Sequence, residues 1–192
     1  MMASQKPAKH FSLPGANASL PIRILLGTAG VVALLIIFVI LKGFFGGGPD
    51  LTAFVTVAQD QQELLHLTGN IPQEQQQGLS VASQNFAATA QAAVNSSQAA
   101  LIQYIANNGT KIKTKDLNRK VSSSVDNQLQ AAIAASTYDQ TFQQIMQAQL
   151  TTYMHDLSRA YDQTKGPKGR ALLSGDYKQA QLLTTQLTQS GQ

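Results

Sequence analysis

The chain has 192 residues, of which 12% are charged, and it contains no cysteine. This length allows one modest domain with appendages, and the lack of cysteine excludes disulfides, a thiol nucleophile and Cys-ligated metal sites. Alanine and glutamine supply 25 residues each, whereas charged residues are about half as frequent as the ~25% usual in soluble domains. The composition therefore favours helices that are made soluble by amides and not by charge.

The net charge of +4 is confined to the N-terminal quarter of the chain. Lys6, Lys9, Arg23 and Lys42 are the only charged residues before position 50, and residues 50–192 carry ten basic and ten acidic side chains. The basic excess therefore follows a local feature near the N-terminus and does not indicate a nucleic-acid-binding face. We expect no intracellular nucleic acid as a partner.

That local feature is an apolar run of 18 uncharged residues, 24–41. Its length predicts a transmembrane helix over residues 22–45, in contact with membrane lipid. A cleaved signal peptide is the alternative, although such apolar regions are usually shorter. The positive-inside rule then predicts a plasma-membrane protein with a disordered cytoplasmic tail (1–21), a Gly-rich linker (46–50) and an outer domain (51–192).

The outer domain shows helical spacing throughout. Apolar residues from Leu51 to Leu65 predict a first helix that closes at Gly69, and Pro72 with Glu74 predicts the start of a second. The stripe of the second helix extends to a stop at residues 107–109. Its members are Leu79, Phe86, Ala90, Val94, Leu101 and Ile105.

A third helical stretch is predicted from Asp116. A capping-box pattern from Thr137 to Gln140 starts a fresh helix, or the stretch continues unbroken to residues 166–169. Residues 174–176 are predicted to introduce the last helix. No segment alternates with period two, so the predicted fold class is all-α: one N-terminal transmembrane helix followed by an antiparallel bundle of four or five helices.

The residues that acid–base, nucleophilic or metal chemistry needs are scarce. Glu63-x-x-His66 is the one pair with the spacing of a di-iron ligand motif, and two ligands do not make such a site. Nucleophile-elbow and phosphate-loop motifs are missing. We therefore expect a protein that is not an enzyme and takes no catalytic residue, cofactor or metal.

The layout of short basic tail, single span and outer domain resembles that of anchor proteins of bacterial cell envelopes, which implies a structural or protein-interaction role. The candidate interaction residues, for a second copy of the chain or another envelope protein, lie on the apolar stripes: Phe86, Val94, Leu101, Phe142 and Tyr153.

The alternative function is binding of an anionic polymer or ligand through a basic loop, residues 111–120. Its candidate residues are Lys111, Lys113, Lys115, Arg119 and Lys120. A solvated interhelix loop whose lysines compensate a helix C-terminus also explains this cluster.

Overall fold

The computed structural model describes residues 51–69, 71 and 73–190, and every regular element in these ranges is a helix. Four long helices form the bundle: α1 (Leu51–Gly69), α3 (Val81–Asn107), α6 (Tyr138–Gln163) and α7 (Pro167–Ser190). The shorter elements are α2 (Gln73–Gln76), α4 (Thr114–Leu117), the 3-10 turn Asn118–Lys120 and α5 (Ser123–Ala134). The predicted all-α helical bundle is confirmed for these residues.

Helix α1 packs against α3 and α6, and α7 packs against the same two helices. Gln61 of α1 is bonded to Ser97 of α3, while an ideal Cβ at Gly69 would lie 2.8 Å from Nε2 of Gln91. Later residues of α1 therefore contact earlier residues of α3, so the two helices are antiparallel.

Helices α3 and α6, which lie diagonally across the bundle, are parallel. Phe86 of α3 meets Phe142 of α6 edge to face, with ring centroids 6.5 Å apart, and Gln143 donates to Ser83 beside them. Because α3 and α6 run in the same direction, the chain must return along the bundle between them. Residues 108–137, hereafter the crossover segment, make this return beside α1 and α6.

The apolar stripes form the core. All six stripe residues predicted for the second helix are buried: Leu79, Phe86, Ala90, Val94, Leu101 and Ile105. Near the other end of the bundle, the Phe54 and Tyr104 rings lie 4.9 Å apart. Burial of these side chains supplies the main driving force for folding.

Two predicted boundaries are wrong. The second helix is not continuous through residues 77–80, because Ser80 takes an extended conformation and its hydroxyl caps α3 by accepting from the Ser83 amide. The last helix begins at Pro167 and not near residue 174, since proline is favoured in a first helical turn.

The stretch from Asp116 is several helices. Ser136 has a left-handed φ of 56°, which ends α5 and lets α6 start at Tyr138. Of the two alternatives that the sequence left open, the structure shows the fresh helix after Thr137, although the Thr137 side chain makes no capping bond.

Within residues 51–69, 71 and 73–190, no helix has both the length and the apolar character needed to cross a membrane. Even the uncharged α3 carries glutamine, asparagine and serine along its length. This finding contradicts the predicted localisation as a single-pass plasma-membrane protein. The tail, span and linker predicted at 1–21, 22–45 and 46–50 lie outside the described residues.

Candidate functional site

A polar cluster lies at the centre of the bundle, with one residue from each long helix. The amide nitrogen of Gln61 lies 2.7 Å from Ser97 Oγ, 2.8 Å from Tyr153 Oη and 3.2 Å from Asp176 Oδ2. An amide nitrogen has two N–H groups, so it donates to two of these oxygens at a time. Gln61 Oε1 is buried without a hydrogen-bond partner in the described part of the chain. These contacts fix the positions of the four long helices along the bundle axis relative to one another.

Asp176 is the acid of this cluster, and only 2% of the residue is exposed. Burial raises its pKa to about 7, and hydrogen bonds from Ser97 and Gln61 offset only part of that effect. Burial and the neighbouring Asp176 charge likewise raise the pKa of Tyr153 well above its usual value. At neutral pH the Tyr153 phenol is therefore protonated, and the Asp176 carboxyl is near the midpoint of its titration.

A second cluster joins the crossover segment to the bundle. Lys120 Nζ lies 2.5 Å from Asp60 Oδ1 on α1 and 2.8 Å from Asp156 Oδ2 on α6. Asp156 also pairs with Arg159 and contacts His155. Lys120 is thus a clasp between two helices and the segment that passes over them.

The charges of this clasp depend on one another. Burial raises the pKa of Asp60 to about 6, against the opposing effect of Lys120. Burial also acts against the charged forms of Asp156 and Lys120, but their mutual hydrogen bonds outweigh it, so that the pKa of Asp156 is lowered and that of Lys120 is raised. The clasp is strongest when Asp60 is ionised.

The Glu63-x-x-His66 pair faces the crossover segment and not a metal site. Glu63 Oε2 accepts from the Ser122 amide at 3.3 Å, and His66 Nε2 lies 2.8 Å from Asp126 Oδ1. Burial raises the pKa of Glu63. In the ranges that the structure describes, no group of three or more acidic or histidine side chains could hold a metal ion.

The candidate interaction residues all lie in the core of the bundle. Phe86, Leu101 and Phe142 are fully buried, and Val94 and Tyr153 are at most 3% exposed. Substituting any of them would test the packing of the fold before it tested a contact with a partner.

The structure separates the candidate anion-binding residues into two groups. Lys111, Lys113 and Lys115 are exposed. Arg119 pairs with Asp116 at 3.2 Å, and Lys120 is the clasp described above. Only the first three lysines therefore have charges that are free of acidic partners within the described residues.

One surface feature was missed by the sequence analysis. Helix α3 has no charged residue in its 27 positions, and its exposed side carries small residues in alternating steps of three and four. This repeat, hereafter the α3 seam, consists of Asn85, Ala88, Ala92, Asn95 and Ala99. A row of small side chains along one helix face leaves room for a second helix to approach closely, and the sequence contained this signal beside the stronger apolar stripe.

The seam borders an open groove of about 480 Å³ between α1 and α3. Ala88, Ala92 and Asn95 form its α3 wall, while Leu65 and Gly69 belong to its α1 wall. A smaller groove of about 260 Å³ lies between α1 and α5, beside the His66–Asp126 pair. Neither groove is an enclosed cavity.

Comparisons of the chain with protein-family models, with curated proteins and with solved structures find no match.

Proposed function

We propose that the protein is a non-enzymatic structural or protein-interaction module that associates with a second copy of itself through the α3 seam. The exposed, uncharged repeat from Asn85 to Ala99 carries this proposal. Alanine side chains let two helix backbones approach closely, and asparagines on the contact line can pair across it.

The electrostatics of α3 favour such contact. Two identical faces repel each other when they carry charge, and α3 carries none. No charged side chain occurs between Glu74 and Lys111. A neutral face of this length therefore meets its own copy without a Coulombic penalty.

The absence of cysteine allows a direct test. We expect Ala92→Cys in the full chain to form a disulfide-linked dimer under mild oxidation, because the seam brings the two sulfurs together. Ala148→Cys, at an exposed alanine of α6, is the matched control and should stay monomeric on a non-reducing gel. Equal cross-linking of both variants, or of neither, would contradict the proposal.

A charge variant tests the same surface in the opposite direction. Ala92→Lys, at the midpoint of the seam, places like charges opposite each other whether the two α3 helices are parallel or antiparallel, so the mass of the assembly measured by sedimentation should fall. Ala148→Lys should leave that mass unchanged. If Ala92→Cys cross-links to a different protein, the interaction role stands and self-association does not.

A further inference from the structure

Topology brings two loops to the same end of the bundle. Helices α3 and α6 are parallel and both end there, and α7 begins there at Pro167. An ideal Cβ at Gly169 would lie 2.8 Å from the hydroxyl of Tyr104, and Asn108 Nδ2 donates to the Tyr104 carbonyl. The loop after α3 and the loop between α6 and α7 therefore lie at the same end of the bundle, although more than fifty residues separate them in sequence.

Exposed lysines occur in both loops and in the first turns of the helices that follow them, α4 and α7. We name the five of them the basic end: Lys111, Lys113, Lys115, Lys165 and Lys168. In the part of the chain that the structure describes, none of them has an acidic partner.

The nearby acids compensate this charge only in part. Asp116 is paired with Arg119, and Asp162 in the last turn of α6 is exposed. Arg170 adds a further positive charge at this end, with its guanidinium 5.0 Å from the centre of the Tyr161 ring. Residues 51–190 thus concentrate positive charge at one end of the bundle.

We infer that the basic end binds a linear polyanion that lies across both loops. The five lysines are spread over two exposed segments and line neither of the two grooves described above, so they suit an extended ligand better than a small anion. Tyr161 is a large exposed aromatic at this end, and Arg170 covers its ring, so the described residues offer no row of aromatics for stacking with nucleic-acid bases. Recognition is by charge.

This surface differs from the basic loop expected at residues 111–120. Lys120 and Arg119 are excluded because their charges are already paired with acids. Lys165 and Lys168 are added by the fold, which brings them to the same end of the bundle as Lys111. The inference does not depend on the α3 seam.

The test measures binding of the full chain to long-chain inorganic polyphosphate at several salt concentrations. With five contacts, affinity should fall by roughly several hundredfold for a fourfold increase in salt. Lys165→Gln/Lys168→Gln leaves three contacts, and that decrease should shrink to about fortyfold. Lys178→Gln, an exposed lysine within α7, is the control and should behave as the unaltered chain.

Four results would overturn the inference. The first is binding that does not depend on salt. The second is a salt dependence that is unchanged in Lys165→Gln/Lys168→Gln but weaker in Lys111→Gln/Lys113→Gln. That result would place the ligand on one loop only. The third is orthophosphate competing as well as polyphosphate at equal phosphate concentration, which would indicate a small-anion site. The fourth is no binding at low salt. Circular dichroism of each variant establishes that the bundle is folded.

Discussion

At the residue scale, Asp176 shows how a bundle core tolerates an acid without a cation. Its neighbours Gln61, Ser97 and Tyr153 are neutral, so ionisation is opposed by burial and only partly supported by hydrogen bonds. When the pKa of a carboxyl is higher in the folded than in the unfolded state, its protonation stabilises the fold. This stabilisation is complete at a pH below the pKa of the unfolded state, and it is lost as the pH rises through the pKa of the folded state. For Asp176 this window extends from about 4 to about 7.

We therefore expect Asp176→Asn to remove a pH dependence of stability. Between about pH 5 and pH 8, the free energy of unfolding of the unaltered chain should fall by about 2–3 kcal/mol more than that of the variant. Chemical denaturation at both pH values measures the difference. Asp162→Asn, at an exposed position of α6, should leave the curve unchanged. If the free energy of unfolding changes equally with pH in Asp176→Asn and in the unaltered chain, ionisation of Asp176 does not destabilise the fold.

A second prediction at this scale concerns Gly169, where α7 starts against the core. An added Cβ would lie 2.9 Å from Phe54 Cζ and 2.9 Å from Thr164 Cγ2, and Phe54 is fully buried. We expect Gly169→Ala to lower the free energy of unfolding by about 1–3 kcal/mol through overpacking. Gly166→Ala meets no atom within 4 Å and should be nearly neutral in the same denaturation experiment.

At the element scale, the crossover segment is held to the bundle mainly by polar contacts. Only Leu129 and Ala132 of α5 are buried, whereas polar contacts to α1 recur along the segment. Gln59 donates to the Asp116 carbonyl, and Lys120 and Ser122 reach the acids of α1. Most of what fixes this segment is therefore charge and hydrogen bonding, which depend on pH and salt more than apolar packing does.

Lys120→Met tests the clasp. Removing the ammonium leaves Asp60 and Asp156 in a mostly buried site, which costs ~3–5 kcal/mol for a fully buried pair. Because 32% of the Lys120 side chain is exposed, we expect a smaller loss of stability, about 2 kcal/mol.

The loss of stability caused by Lys120→Met should become smaller below about pH 6, where Asp60 takes up a proton. Lys115→Met is the exposed control. A loss of equal size at about pH 5 and pH 8 would indicate that Lys120 stabilises by packing and not by its charge.

The clasp also shows where prediction from sequence reaches its limit. Period-3.6 stripes predicted α1, α3 and the Phe142 face of α6, because burial of a helix face follows local spacing. Lys120 looked like part of a basic loop because its partners lie on two other helices, 36 and 60 residues away. The central cluster was unpredictable for the same reason, since Gln61, Ser97 and Asp176 meet only after the helices pack. The α3 seam, by contrast, was missed although its small residues and their spacing are visible in the sequence.

At the scale of the whole molecule, the core couples all four long helices, so its aromatic contacts should control a single unfolding transition. Phe142 is fully buried and meets Phe86 across the bundle diagonal. We expect Phe142→Ala to lower the free energy of unfolding by about 3–5 kcal/mol, with loss of helix in one cooperative step. Leu182→Ala, at a position 62% exposed, should change it by less than about 0.5 kcal/mol.

This prediction also separates packing from association at Phe142. If Phe142 acts through the core, Phe142→Ala lowers stability to the same extent at every protein concentration. If it contacted a second copy instead, the loss would grow as the protein is concentrated, because binding to the folded state adds stability by mass action. Denaturation over a hundredfold range of concentration distinguishes the two. The complete burial of Phe142 leads us to expect no dependence on concentration.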